Sequence, residues 1–163
     1  MKKSRKQNII IASIAIAILL GIVGYNYSYD QTRQKGLKFG NELSQIQDEV
    51  KKLQVEFDSN VKQWKEGDMS QQELEKFSNV HIEKMQVVIL KYEGLTPPES
   101  FAPSVKLFKI STQAQLDSDK EFIEWIKTKD EAHNIRADSL LQESFQYEIS
   151  ALAEFNAAKA GLR

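Results

Sequence analysis

Residues 39–64 read FGNELSQIQDEVKKLQVEFDSNVKQW, and this stretch decides the fold. Its large apolar residues recur at alternating steps of four and three, the spacing of one buried face on a long α-helix. Charged residues, Gln and Ser fill most other positions, as a solvated face requires. The apolar face comprises Phe39, Leu43, Ile46, Val50, Leu53, Phe57 and Trp64, with Val61 beside the polar Asn60. No strand-like run competes with this helical pattern elsewhere in the chain, so the sequence predicts an all-α protein.

The second helix has a clear start and a clear end. Gly67 ends the first helix, and Ser70 with Glu73 has the spacing of a capping box, in which each side chain bonds the other residue's backbone N–H. Gly94 ends this second helix. Its predicted core stripe is Leu74, Phe77, His81, Met85, Val88 and Tyr92.

The rest of the chain contains two further candidate helix starts. Thr96 and Glu99 repeat the capping-box spacing, although Pro103 favours a short turn there and a main helix starting near Pro103. Thr128 and Glu131 have the same spacing, and we place a break at Lys127 to Asp130 because one unbroken helix to the C-terminus would be too long for a compact domain. The predicted core positions are Val105, Phe108, Thr112, Leu116, Ile123 and Ile126 in the third helix, and Leu141, Phe145, Leu152 and Phe155 in the fourth.

Short links between consecutive amphipathic helices favour an antiparallel bundle of three to four helices, three if the last break does not form. We assign this bundle to residues 30–163.

Residues 9–29 predict where the protein lies. They are uncharged, and a helix of this length rises roughly 30 Å, enough to cross a bilayer. Basic residues precede the stretch and tyrosines close it, which predicts a cytoplasmic tail at residues 1–8 and an extracytoplasmic remainder. We expect this anchor helix to continue into the first bundle helix. A cleaved signal peptide is the alternative. The basic residues are Lys2, Lys3, Arg5 and Lys6, and the tyrosines are Tyr25, Tyr27 and Tyr29.

Within this predicted membrane helix, small residues recur at Ser13, Ala17, Gly21 and Gly24. A stripe of small residues lets a second membrane helix approach closely, so these four are the candidate packing residues and predict a protein partner in the membrane.

Composition narrows the choice of partners. Four of the 22 basic residues precede residue 30, so the rest of the chain carries 18 basic and 23 acidic residues, a formal charge of −5. Nucleic acid binding is not expected from such a surface. There are no cysteines, so neither disulfides nor thiolate chemistry is available.

No catalytic motif is recognisable, and we predict a non-catalytic protein without cofactor or metal. His81 and Met85 lie one helical turn apart, which could suit copper, but their stripe is also the predicted core. In the third helix, Asp117, Glu121 and Glu124 share one helix face that could hold a divalent cation, but interleaved lysines favour intrahelical ion pairs. With Asp119, these three residues form the acidic cluster. His133 follows two acidic residues at a helix start, where the helix dipole explains them.

The third helix is unusually polar for a bundle core. Its polar residues indicate a ligand cavity, a face docked on another protein, or simple exposure. They are Ser111, Thr112, Gln113, Gln115 and Ser118.

Three short runs carry a resemblance: LTPPESF at 95–101, FIEWI at 122–126 and SFQYE at 144–148. Together with the anchor arrangement, they resemble a set of small single-span helical membrane proteins of ammonia-oxidising archaea. The resemblance implies a membrane-tethered, exported helical domain and an association with the copper membrane monooxygenase of those organisms. It carries no catalytic residue into this chain.

These observations favour a membrane-anchored, extracytoplasmic helical protein that acts by binding other proteins, as a subunit of a membrane complex. The alternatives are an accessory subunit of an archaeal copper membrane monooxygenase and an extracytoplasmic ligand-binding or sensor domain.

Overall fold

The structure is a computed structural model that describes the backbone of residues 31–161 and the side chains of residues 36–161. The predicted tail at 1–8, the anchor at 9–29 and its packing residues Ser13, Ala17, Gly21 and Gly24 lie outside the described residues. Four helices make up this part of the chain: α1 (Gln31–Glu66), α2 (Gln71–Lys91), α3 (Ala102–Thr128) and α4 (Glu131–Ala160). Short 3-10 turns at Tyr92–Gly94 and Glu99–Phe101 join α2 to α3, and residues 31–161 contain no strand. The predicted all-α bundle is therefore confirmed.

The start of α2 was predicted correctly from local sequence. Gly67 has a φ of 86°, a left-handed conformation that suits glycine, and its N–H bonds the carbonyl of Trp64. The side chain of Ser70 accepts from the N–H of Glu73, while the Glu73 carboxylate accepts from the N–H of Ser70 at 2.9 Å. This reciprocal pair is the predicted capping box.

The start of α3 confirms one prediction and corrects another. The main helix begins at Ala102 with Pro103 in its first turn, as the proline indicated. The Thr96–Glu99 capping box does not form, because Pro98 has an extended backbone and caps a separate short turn without a side-chain bond.

The chain breaks between α3 and α4 where it was predicted to. Lys129 adopts a left-handed φ of 60° and ends α3, and its ammonium lies 5.4 Å from the ring centre of Trp64. Asp130, rather than Thr128, caps α4 by accepting from the N–H of Ala132 at 2.9 Å.

Consecutive helices run antiparallel. Between α1 and α2, Phe57 stacks on His81 at one end while Gln47 bonds Tyr92 at the other. Between α2 and α3, Tyr92 contacts Thr112 while His81 contacts residue 119, further along α3. None of the helices between residues 31 and 161 combines the length and the apolar character that crossing a bilayer requires.

Two apolar clusters form the core. The larger surrounds Phe39, Met85, Phe101 and Phe155, and the smaller surrounds Phe57 with contributions from α1, α2 and α3. Most predicted core positions are buried, but Phe77 is 51% exposed, so its assignment to the core was wrong.

The buried face of α4 differs from the prediction. Leu141, Phe145 and Leu152 are only partly buried, whereas Ala137, Ser144 and Ala151 are fully buried along with Phe155. The three small residues are spaced seven apart and face a similar series in α3, Ser104, Ser111 and Ser118. Ser111 and Ser144 each donate a hydroxyl hydrogen bond to the other's backbone carbonyl, both at 2.9 Å. Small side chains thus let the α3 and α4 backbones approach closely.

Candidate functional site

The outer face of α2 exposes large apolar side chains. Half of the exposed large hydrophobic residues in the described part of the chain lie on this helix: Phe77, Val80, Val87 and Leu90, at 51, 47, 56 and 61%. We call these four residues the α2 face. The remaining exposed ones are dispersed over α1 and α4. Single exposed hydrophobics are ordinary on a soluble domain, but several on one helix indicate a contact surface.

A groove runs between α1 and α2 beside the α2 face. One open cavity of about 290 Å³ lies between Leu53, Phe57, Phe77 and Val80, with Lys84 among its lining residues. A second of about 670 Å³ lies toward the other end of the helix pair. Its lining residues include Glu42, Ile46, Asp48, Glu49, Lys52 and Lys91. The ion pair between Lys91 and Glu49, with an N–O distance of 2.6 Å, joins α1 to α2 at this end.

A layer of buried polar side chains lies beneath the smaller cavity. Nε2 of His81 bonds a carboxylate oxygen of Asp119 at 2.9 Å, and both side chains are buried. The His81 ring stacks on Phe57 with their centres 4.5 Å apart. The amide of Gln115 donates to the second Asp119 oxygen at 3.2 Å. This polar layer, contributed by three helices, lies between the two apolar clusters.

Gln54 and Asp58 extend the polar layer into α1. The Gln54 amide nitrogen lies 3.4 Å from a carboxylate oxygen of Asp58 and 3.4 Å from one of Asp119. Burial, together with the nearby Asp119 charge, raises the pKa of Asp58 to about 6. The carbonyl oxygen of Gln54 is buried and finds no hydrogen-bond partner within the described residues.

A second buried polar contact holds α1, α2 and α3 together. The Tyr92 hydroxyl accepts from the amide of Gln47 at 2.7 Å and lies 3.1 Å from the hydroxyl of Thr112. Burial raises the pKa of Tyr92 above its ordinary value.

Burial likewise raises the pKa of Glu148 on α4 to about 7.

In the structure, the candidate metal ligands His81 and Met85 belong to the packed interior of the bundle. His81 and Met85 share a buried face, but the imidazole nitrogen binds Asp119. Within residues 36–161, no group of three or more histidine and carboxylate side chains could hold a metal ion. Ser78, one turn from His81, donates its hydroxyl to the carbonyl of Leu74, so it is not activated by the His81–Asp119 pair.

The acidic cluster is divided among separate partners. Asp117 pairs with Lys120, and Glu124 with Lys127, as intrahelical ion pairs. Asp119 is buried in the polar layer instead. Glu121 reaches α4, where hydrogen bonds from His133 and Arg136 lower its pKa.

The polar residues of α3 form hydrogen bonds within the bundle. Ser111 and Ser118 bond carbonyls of α4, Thr112 contacts Tyr92, and Gln115 belongs to the polar layer. Gln113 bonds Asp117 on its own helix. They therefore supply no ligand cavity of their own.

Sequence reasoning missed Gln54 and Asp58 as members of the polar layer, and it missed the α2 face. Gln54 and Asp58 are polar residues on an amphipathic helix, and such residues are normally solvated. The α2 face has a sequence signal, because α2 carries more large apolar residues than one buried stripe can accommodate.

In comparisons with known proteins, no family model, no curated protein and no solved structure matched this chain.

Proposed function

We propose that this protein is a membrane-tethered, extracytoplasmic helical bundle that acts by binding another protein and catalyses no reaction. The observation that carries the proposal is the α2 face, where four large apolar side chains are exposed beside an open groove. Several exposed apolar side chains on one helix are unfavourable in water unless a partner covers them, and they mark an interaction site.

The proposed tether is residues 9–29. It rests on the length and uncharged character of that stretch and on the basic residues before it. With the N-terminus in the cytoplasm, the bundle lies on the outer side of the membrane. Ser13, Ala17, Gly21 and Gly24 are the residues through which the tether would pack on a partner's membrane helix.

The topology can be tested by single-cysteine labelling, because the chain has no cysteine of its own. We expect a membrane-impermeant maleimide to label Ser150→Cys, an exposed position on α4, in intact cells. Ser4→Cys should react only after permeabilisation. Equal labelling of both positions in intact cells would contradict the proposed orientation.

Binding through the α2 face can be tested by site-specific photo-crosslinking in intact membranes. A benzophenone attached to a cysteine at Val87 should capture the partner in a defined band. The matched control is Ile149 on α4, which is exposed to the same extent, 56%. Equal capture from Val87 and Ile149, or none from either, would count against the α2 face as the binding surface.

A further inference from the structure

The polar layer is a weak point in the packing of α1 on its neighbours. The side-chain amide nitrogen of Gln54 lies 3.4 Å from a carboxylate oxygen of Asp58 and 3.4 Å from one of Asp119. Both distances exceed the roughly 3.2 Å upper end of ordinary N–H to O hydrogen bonds. The buried carbonyl oxygen of Gln54 has no partner within the described residues. A buried polar network whose bonds are long or missing favours local opening of the structure.

The polar layer also holds more negative charge than it can neutralise. Asp119 contacts Nε2 of His81, so the imidazole can offset one carboxylate. The charged groups that act on Asp58 are Asp119 on α3, His81 on α2 and Lys65 on its own helix. Lys65 is exposed, and its ammonium lies 5.4 Å from the ring centre of Phe122. With both carboxyls ionised, no further buried cation among the described residues offsets the second charge.

We propose that the polar layer is a proton-controlled switch for the second half of α1. With a proton on Asp58, residues 54–66 stay packed on α2 and α3. When that proton leaves, this half of α1 opens locally and Asp58 enters water. The switch is a property of the bundle alone and goes beyond the proposed function.

The two halves of α1 are packed in different clusters. Phe57 and Val61 belong to the smaller apolar cluster, and Trp64 packs against it. The first half of α1 belongs to the larger cluster instead. The polar layer lies between the two, and the turn at Gly67 follows the second half directly. The second half can therefore open while the first half stays packed, as cooperative units within a protein do.

The direction of the switch follows from the burial of Asp58. Burial and the Asp119 charge raise the pKa of Asp58 to about 6 in the folded chain, whereas a hydrated Asp58 keeps its ordinary value of 3.8. The closed state is therefore favoured most below about pH 4, and this preference is lost as the pH rises through about 6. The interval between the two pKa values limits the gain in open population to about a hundredfold. Because Asp58 is only half-buried, we expect about tenfold.

Local opening changes the surface beside the α2 face. Phe57 lines the smaller cavity together with Phe77 and Val80. Release of Phe57 from its cluster adds apolar surface next to these two residues, so neutral pH should favour binding there. This consequence rests on the proposed function, whereas the switch itself does not.

The test is amide hydrogen exchange of the full chain in mild detergent, measured by mass spectrometry from pH 4 to pH 7. Protection factors are used because they correct for the pH dependence of exchange in an unstructured chain. In wild type, the protection factors of residues 54–66 should fall about tenfold over this range. Asp58→Asn has no carboxyl to ionise, so its protection factors in this segment should stay constant.

Two further variants are matched controls. Asp48→Asn removes an exposed carboxyl from the same helix, and Glu148→Gln removes a second carboxyl whose pKa is raised by burial. Both should lose protection in residues 54–66 to the same extent as wild type. Circular dichroism at pH 4 and pH 7 checks that every variant is folded.

Three results would overturn the inference. The first is wild-type protection in residues 54–66 that does not change with pH, and the second is an equal fall in Asp58→Asn. The third is a fall of the same size in all four helices, which would indicate global unfolding in place of a local switch.

Failure of the switch is distinguishable from failure of the proposed function, because the exchange experiment needs no partner. Capture of a protein from Val87 and not from Ile149, together with exchange that is independent of pH, would exclude the switch alone. The expected exchange result without selective capture from Val87 would exclude the α2 face as the binding surface and retain the switch.

Discussion

Asp58→Asn should stabilise the protein at neutral pH and leave it unchanged in acid. In the folded chain, burial and the Asp119 charge raise the pKa of Asp58 from 3.8 to about 6. Since one pKa unit corresponds to 1.36 kcal/mol, ionising this buried carboxyl costs at most about 3 kcal/mol. The side chain is only partly buried, so we expect a gain of about 1–2 kcal/mol from the neutral amide.

The sign of the pH dependence follows from the raised pKa. A carboxyl whose folded pKa exceeds its unfolded value contributes stability that is fully present below about pH 4, and the contribution is lost as the pH rises to about 6. Glu148, whose pKa is raised to about 7, has the same sign. The contribution of Asp58 to the wild-type free energy of unfolding should therefore fall between pH 4 and pH 7, so the difference in stability between Asp58→Asn and wild type should grow over this range.

The assay is urea unfolding of the full chain in mild detergent, followed by circular dichroism at several pH values from 4 to 7.5. Asp48→Asn is the matched control, an exposed carboxyl on the same helix, and should change stability by less than about 0.5 kcal/mol. If Asp58→Asn and wild type lose stability in parallel across this range, the polar layer does not impose the stated cost on Asp58.

Three further substitutions test other contacts by the same unfolding assay. Ser144→Leu should cost about 2–4 kcal/mol, because it overpacks the close α3–α4 contact and removes a hydrogen bond. Ser150→Leu, on the exposed side of α4, should cost less than about 0.5 kcal/mol. Equal losses from the two variants would contradict the close approach of α3 and α4. His81→Ala should cost about 3–5 kcal/mol, because the buried Asp119 then keeps only its contacts with Gln115 and Gln54. Adding Asp119→Asn should recover at least about 1 kcal/mol, so a double variant no more stable than the single would exclude this cause. Ser70→Ala should cost about 1 kcal/mol through the lost cap of α2, and no change would mean that the cap is dispensable.

The helices could be predicted because their signals are local. The Ser70–Glu73 cap needs only residues within one turn. The break before α4 was predicted from helix length and the Thr128–Glu131 spacing, and its position is right although Asp130 provides the cap. The same capping spacing failed at Thr96 and Glu99 because prolines lie between them. Proline has no N–H and fixes its own φ, and the observed extended conformation of Pro98 keeps the two side chains from forming a box.

The buried face of α4 could not be predicted from hydrophobicity alone. Leu152 and Phe145 are more apolar than Ser144 and Ala151, yet the smaller residues are the buried ones. Their advantage is size, since a short side chain lets two backbones approach until a serine hydroxyl reaches the opposite carbonyl. The usable signal is a pair of matching series, small residues seven apart in both α3 and α4, and it appears only when the two helices are compared.

The polar layer was not predictable for a different reason. His81 and Asp119 are 38 residues apart, and no local pattern relates them. The sequence placed His81 on the core stripe, which is correct, but it could not say which charge would meet it there. The prediction listed Asp119 in the same acidic segment as Asp117, Glu121 and Glu124 but not on their shared face, and it did not place Asp119 in the core, where it is buried.

The exposed apolar residues of α2 are the point at which fold and proposed function meet. One face of α2 is already covered by α1 and α3, with Leu74, Met85 and Val88 buried there. Folding of this bundle leaves Val80 and Val87 47 and 56% exposed, so their apolar character contributes less to its stability than that of the buried residues. A helix that needed only to fold could carry polar residues at those two positions at little cost in packing. Complete burial of these side chains can stabilise only a contact with another protein, and we infer that the α2 face forms such a contact.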